Sequence, residues 1–122
     1  MYLVNAEIKA TQQGYKSRMS FKDKKGVLHE KVIEKERQAS MQSNYLAGLL
    51  AVLGTLERPC MLSIYSHSDY IVEPIRQGWL QSWAQHAWKN AKGKTVRNAE
   101  QWKHVKKLLA EHTVRFIKNK ED

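Results

Sequence analysis

The chain has a single cysteine, Cys60, so it can form no internal disulfide and build no multi-cysteine metal site. It has no apolar run near the roughly 18 residues that a membrane-spanning helix needs. Its opening, Met1 to Lys9, lacks the basic leader and the long apolar core of a secretory signal. A cytoplasmic protein with no membrane partner is therefore expected. Internal repeats, low-complexity tracts and linker-like stretches are also missing, and 122 residues suit one domain, 1–122. Negative charge is scarce: 12 Asp and Glu face 21 Lys and Arg, a formal net charge of +9. That balance fits a polyanionic partner.

Much of the excess charge is local. Between Arg76 and Lys107 eight Lys and Arg accompany one acid, Glu100. The four tryptophans, Trp79, Trp83, Trp88 and Trp102, lie in the same stretch. Indole rings interleaved with cations suit a surface that meets nucleic acid. Trp79, Trp83 and Trp88 could pack on bases or sugars. Equally, they could form a small core for their own helices, since indole carries a large apolar surface. Trp102 is expected in the core. Lys89, Lys92, Lys94 and Arg97, with Asn98 beside them, are the candidate phosphate contacts.

Periodicity gives the elements. Residues 1–10 alternate as a strand, with Tyr2, Val4, Ala6 and Ile8 on one face. Gln12-Gln13-Gly14 is a turn. Tyr15–Phe21 is a second strand, and Asp23-Lys24-Lys25-Gly26 a hairpin turn. Val27–Gln38 reads as a third strand, although its charge run also suits a helix. Ser40–Leu56 is an apolar helix, capped by Ser40 or Ser43 and ended by Gly54 and Pro59. Cys60–Tyr65 reads as a central, fully apolar strand. Short helices follow at Asp69–Gln77, with Pro74 inside, and at Trp79–Trp88. Lys92-Gly93-Lys94 is a turn, Asn98–His112 a helix and Thr113–Ile117 the last strand. The order of three strands, helix, strand, several helices and strand is that of a mixed α/β domain.

The segment Ser66-His67-Ser68-Asp69-Tyr70, the Trp79/Trp83/Trp88 series, the turn Lys89 to Lys94, Val96-Arg97-Asn98 and Trp102 together resemble the type 1 ribonuclease H family over about half the chain. The resemblance implies a ribonuclease H-like fold. This is a mixed five-stranded sheet with an antiparallel meander, helices on its faces and a basic handle at about 76–98. It also implies a handle that lies along the DNA strand of an RNA–DNA hybrid, whose shape and 2′-hydroxyls are then read.

The family cuts RNA with two Mg²⁺ ions held by four acids. They lie in mid-first strand, in the first helix, at the end of the fourth strand and in a last helix. Here the fourth-strand position reads His67, a poor ligand for Mg²⁺, with Asp69 two residues on. The first-helix position reads Asn44. In the first strand, Asn5 and Ala6 fall near the position and Glu7 is the nearest acid. The chain stops after Phe116 to Asp122, so the last helix is expected to be missing. A degenerate, catalytically inactive member that binds RNA–DNA hybrid or duplex, without metal or other cofactor, is the expectation. A divergent nuclease using Mg or Mn at Glu7, His67 and Asp69 is the alternative. A third reading is an interaction scaffold or homodimer, in which the uncovered sheet face docks a second copy or a partner that completes the fold. His86, His104 and His112 lack metal-site spacing. Ser66, His67 and Ser68 lack a third orienting group for nucleophilic chemistry. Cys60 is read as a buried strand residue.

Overall fold

The computed structural model describes residues 2–66 and 69–118, leaving aside the side chains of residues 66, 69, 70 and 118. β1 (Tyr2–Thr11), β2 (Gly14–Lys22) and β3 (Leu28–Glu36) form an antiparallel meander. α1 (Met41–Thr55) crosses to β4 (Cys60–Ser66), which runs parallel to β1. Then come α2 (Asp69–Arg76), α3 (Trp79–Gln85), α4 (Ala99–Leu109) and β5 (Thr113–Lys118), the last parallel to β4. The sheet order is β3-β2-β1-β4-β5.

The third strand is settled by its turn. The Asp23 carboxylate accepts from the backbone N–H groups of Lys25 and Val27, and Gly26 takes the left-handed conformation with φ of 80°. This Asx geometry turns the chain back and sets Phe21 opposite His29. Ladder hydrogen bonds along β2 then outweigh the helical charge spacing of β3.

Strand alternation divides the sheet into two faces. Val4, Ala6, Ile8 and Ala10 of β1, Tyr15 and Met19 of β2, Leu62 and Ile64 of β4 and Phe116 of β5 are buried beneath the helices. α1 begins at an N-cap, Ser40, whose hydroxyl accepts from the Ser43 N–H at 3.1 Å. It buries Leu46, Leu49, Val52 and Leu53 on this face. Each such side chain contributes about 1.5–3 kcal/mol on removal from water. On the opposite face Leu3 is 65% exposed, and Asn5, Lys9, Lys16, Arg18, Met61 and Arg115 are exposed too.

Two helices are shorter than their spacing predicts. α3 stops at Gln85, because Ala87 and Trp88 are left-handed, with φ of 55° and 62°. The Trp88 N–H turns back to donate to the Trp83 carbonyl at 2.7 Å. α4 ends at Leu109, which releases His112 into the following turn. There its Nδ1 accepts from the Cys60 N–H at 3.1 Å and pins the start of β4.

Candidate nucleic-acid interface

α1 and α4 run side by side. Near their first turns, the Gln101 amide donates to the Ser43 carbonyl at 3.0 Å, and Asn44 donates to the Thr11 carbonyl at 2.7 Å. Beyond the far end of α4, His112 meets Cys60. Both helices therefore start beside the carboxyl end of β1. The segment 86–98 that leads into α4 joins the fold at that same end, the usual place for ligands in α/β sheets.

That segment is a small hairpin. Lys89 and Thr95 form an isolated antiparallel bridge, and the Val96 N–H donates to the Trp88 carbonyl at 2.9 Å. Asn90 builds its tip: its side-chain oxygen accepts from the N–H groups of Lys92 and Lys94 at 2.9 and 3.1 Å. Gly93 supplies the left-handed step, with φ of 78°. Lys89, Lys92, Lys94 and Arg97 all lie on the exposed surface of this hairpin, and Asn98, left-handed at φ of 58°, starts α4. Four cations on one short hairpin present a positive ridge that suits phosphates.

Indole packing holds the ridge to the domain. Trp102 is fully buried. Trp83 meets it edge-on at 6.0 Å between ring centroids, and Trp79 lies 6.4 Å beyond Trp83. Trp79 itself is 47% exposed, so it closes the row at the surface. Trp88 is half-buried, with the Lys103 ammonium 6.0 Å from its ring centroid. Two of the three handle tryptophans thus serve mainly as packing, and Trp79 is the one with a free face.

The acid positions look different. Asn44 is fully buried. Its amide donates to the carbonyls of Thr11 and Arg37, and its oxygen accepts from the Arg37 guanidinium at 2.9 Å. It ties the β1–β2 turn, the end of β3 and α1 together, and every polar atom it has is used. The α1 residue that faces mid-β1 is Gly48. A Cβ there would lie 2.9 Å from Ile8 Cγ2 and 3.0 Å from Ser17 Oγ. α1 contains no Asp or Glu at any position. Glu7, the sole acid of β1, sits on the face away from α1, with Lys9 at 3.8 Å and Arg18 and Tyr65 as its cross-strand neighbours. His67 lies outside the described residues, as does the side chain of Asp69. Among the described residues no three His, Cys, Asp or Glu side chains converge on one point. The described residues do not fit a pair of Mg²⁺ ions, which require clustered carboxylate oxygens.

Sequence reasoning missed three supporting residues. Asn90 was legible as an Asx turn, since Asn-x-Lys-Gly-Lys places an acceptor two and four residues before free N–H groups. Lys103 and Gln101 reach the site only through helix–helix packing, for which the sequence carries no local signal.

Residues 5–120 match the family model for RNase H. The chain is 41% identical over 75 residues to a ribonuclease H of Chlorobium luteolum, a match covering 62% of this chain and 51% of that protein. It is 37% identical over 93 residues to a ribonuclease H of Clostridium botulinum, covering 75% of this chain and 62% of that one. The match thus spans about half to three-fifths of these relatives' length. Among solved structures, a type 1 RNase H with the type 2 active-site motif superposes with a TM-score of 0.83 at 15% identity. That superposition covers 98% of this chain and 64% of the other. An RNase H1 solved in complex with RNA/DNA hybrid superposes at 0.56 and 13% identity, covering 98% and 85%. At such identities the structural likeness is one of fold.

Proposed function

Because this chain belongs to the RNase H family, we propose that it binds RNA–DNA hybrid or duplex nucleic acid through its basic hairpin and does not itself hydrolyse the strand it holds. The observation that carries this reading is a pairing of opposites. The hairpin keeps four exposed cations, and α3 and α4 hold an ordered indole row beside it, while α1 has no carboxylate and the one acid of β1 points to the other face.

The hairpin's part is electrostatic. Lys89, Lys92, Lys94 and Arg97 meet successive phosphates, which fixes placement without base readout. Trp79 offers its exposed ring to a sugar or base at the edge of the contact. Discrimination between hybrid and DNA duplex then rests on groove shape and 2′-hydroxyl contacts.

A second reading, a metal-dependent ribonuclease using Mg or Mn with Glu7, His67 and Asp69, is favoured by one observation: the relatives matched at about 40% identity are called ribonuclease H. One experiment separates the two. Purified protein is incubated with a labelled RNA–DNA hybrid and either Mg²⁺ or Mn²⁺, with Glu7→Gln and Asp69→Asn in parallel. The binding reading expects retention of the hybrid with no cleavage above background in any lane. Turnover that either substitution abolishes would establish the nuclease instead. In the same preparation, replacing the four hairpin cations with Gln is expected to weaken hybrid binding. It should also flatten the log–log salt dependence by up to roughly 3–4 units, about 0.9 per phosphate on a B-form duplex and somewhat less for other forms. An unchanged slope would remove the hairpin from the interface.

A further inference from the structure

A recess of about 420 Å³ opens at the other end of the sheet, where β1 and β4 begin and α1 stops. Its cause is geometric. α1 ends at Thr55, and the turn through Arg58 leads straight into β4, so the helix-facing side of early β3 is left uncovered. Its floor is apolar: Val4, Met19 and Cys60 are each more than nine-tenths buried.

Its wall is a set of rings held in place before anything binds. Phe21 and His29 stack at 4.9 Å with an interplanar angle of 15°, and Tyr2 meets Phe21 edge-on at 5.5 Å. His29 is fixed in turn by Asp23 at 2.8 Å, and Asp23 by two backbone N–H groups of its own turn. Rotamers locked in this way hold a binding surface ready. At the mouth, Lys31 and Arg58 are exposed, with Glu57 beside Arg58 and Glu30 beside Lys31. Lys31 lies on the helix-facing side of β3, directly across from Met19. The size, the apolar lining and the few charges at the rim are those of a small-molecule site.

We infer that this recess binds a small planar aromatic molecule carrying one anionic group, its rings against the Phe21 wall and its anion at Arg58 and Lys31. The aromatic wall sets planarity, since ring faces pack best on other rings in offset or edge-on contact. Lys31, Arg58, Glu30 and Glu57 all border the recess. Glu30 alternates with Lys31 and pairs with Ser20, so it stands on the other face of β3. Two cations against one acid remain on the recess side to set the sign of the charge. The site is independent of the basic hairpin, which joins the fold at the opposite ends of α1 and α4.

Cys60 supplies an internal reporter. It is the chain's one cysteine, it lines the floor, and its thiol donates to the Arg58 carbonyl at 3.0 Å. A ring seated on that floor shields it from alkylation. The experiment titrates the protein with 2-naphthoate and, separately, with uncharged 2-naphthalenemethanol. It follows amide NMR shifts and the rate of Cys60 alkylation by iodoacetamide. Saturable shifts at Tyr2, Phe21, His29 and Cys60 are expected with naphthoate, together with slower alkylation. The double substitution Arg58→Gln, Lys31→Gln alters only exposed side chains. It is expected to weaken naphthoate by about five-fold, the scale of an exposed ion pair, and to leave naphthalenemethanol unchanged. Phe21→Ala should weaken both probes. No saturable shift up to the probes' solubility, or shifts and alkylation rates indifferent to all three substitutions, would overturn the assignment.

Discussion

At Gly48 the helix and the first strand approach so closely that hydrogen is the only side chain with room. Alanine is the better helix former by about 1 kcal/mol, yet its methyl would press on Ile8 and Ser17 inside a packed core. Overpacking of this kind costs about 1–3 kcal/mol, so Gly48→Ala should lower the melting temperature. Gly54 is the control, since a Cβ there meets nothing within 4 Å and the same change should raise it. Asn44 makes the complementary case. Asn44→Ala takes the amide donor from the Thr11 and Arg37 carbonyls and leaves the Arg37 guanidinium with Ser43 Oγ but without the Asn44 oxygen, and urea titration should show a loss of roughly 1–3 kcal/mol. Asp23 adds a pH dependence. The His29 hydrogen bond, reinforced by the Val27 N–H, holds its carboxyl below the ordinary carboxylate range. A depressed folded value means that the stabilisation is whole above the unfolded carboxylate's pKa. It is lost as pH falls through the lowered one. The ring-current shifts between Phe21 and His29 should therefore collapse at acid pH, and Asp23→Asn should remove that titrating step.

The elements were more legible than the site. Period-two burial in β1, the capped apolar run of α1 and the turn before β3 each carry a local signal, whereas the mixed five-stranded sheet was implied by the resemblance to the ribonuclease H family that the tryptophan-rich stretch carries. What stayed hidden depends on approach across the fold. Nothing in the sequence says that Gly48 faces Ile8 or that Asn44 spends its amide on the Thr11 and Arg37 carbonyls, although alternation along β1 does set Glu7 opposite to Val4, Ala6 and Ile8. The handle shows the same division. Helical spacing predicted that Trp79 and Trp83 share a face, which they do. It carried α3 through Trp88, where the chain instead takes two left-handed residues to close the hairpin. Packing order along the indole row predicts an energetic order. Trp102→Ala, from full burial, should cost about 3–5 kcal/mol. Trp79→Ala should cost far less in stability while weakening nucleic-acid binding. Equal losses of stability would mean that the exposed ring is as structural as the buried one.

Across the whole molecule, positive charge gathers at the hairpin end and the sheet leaves β3 as an edge. A strand so exposed along its length offers unpaired N–H and C=O groups to a second copy. Its sequence resists that. Two copies pairing antiparallel about a dyad normal to the sheet oppose residues of the same face. Centred on Val32, the pairing sets Glu30 against Glu34; centred on Ile33, it sets Lys31 against Lys35 and Glu30 against Glu36. Like charges directly opposed destabilise a ladder by several tenths of a kcal/mol or more for each pair. Shifting the centre further shortens the ladder. The strand is therefore expected not to join sheets end to end, even though Val32 and Leu28 are exposed on it. Replacing Glu30 and Glu34 with Thr removes the repulsion and raises strand propensity. Light scattering should then show concentration-dependent association in that variant and none through this edge in the parent chain. If the variant stays as monodisperse as the parent, the charges are not what guards the edge.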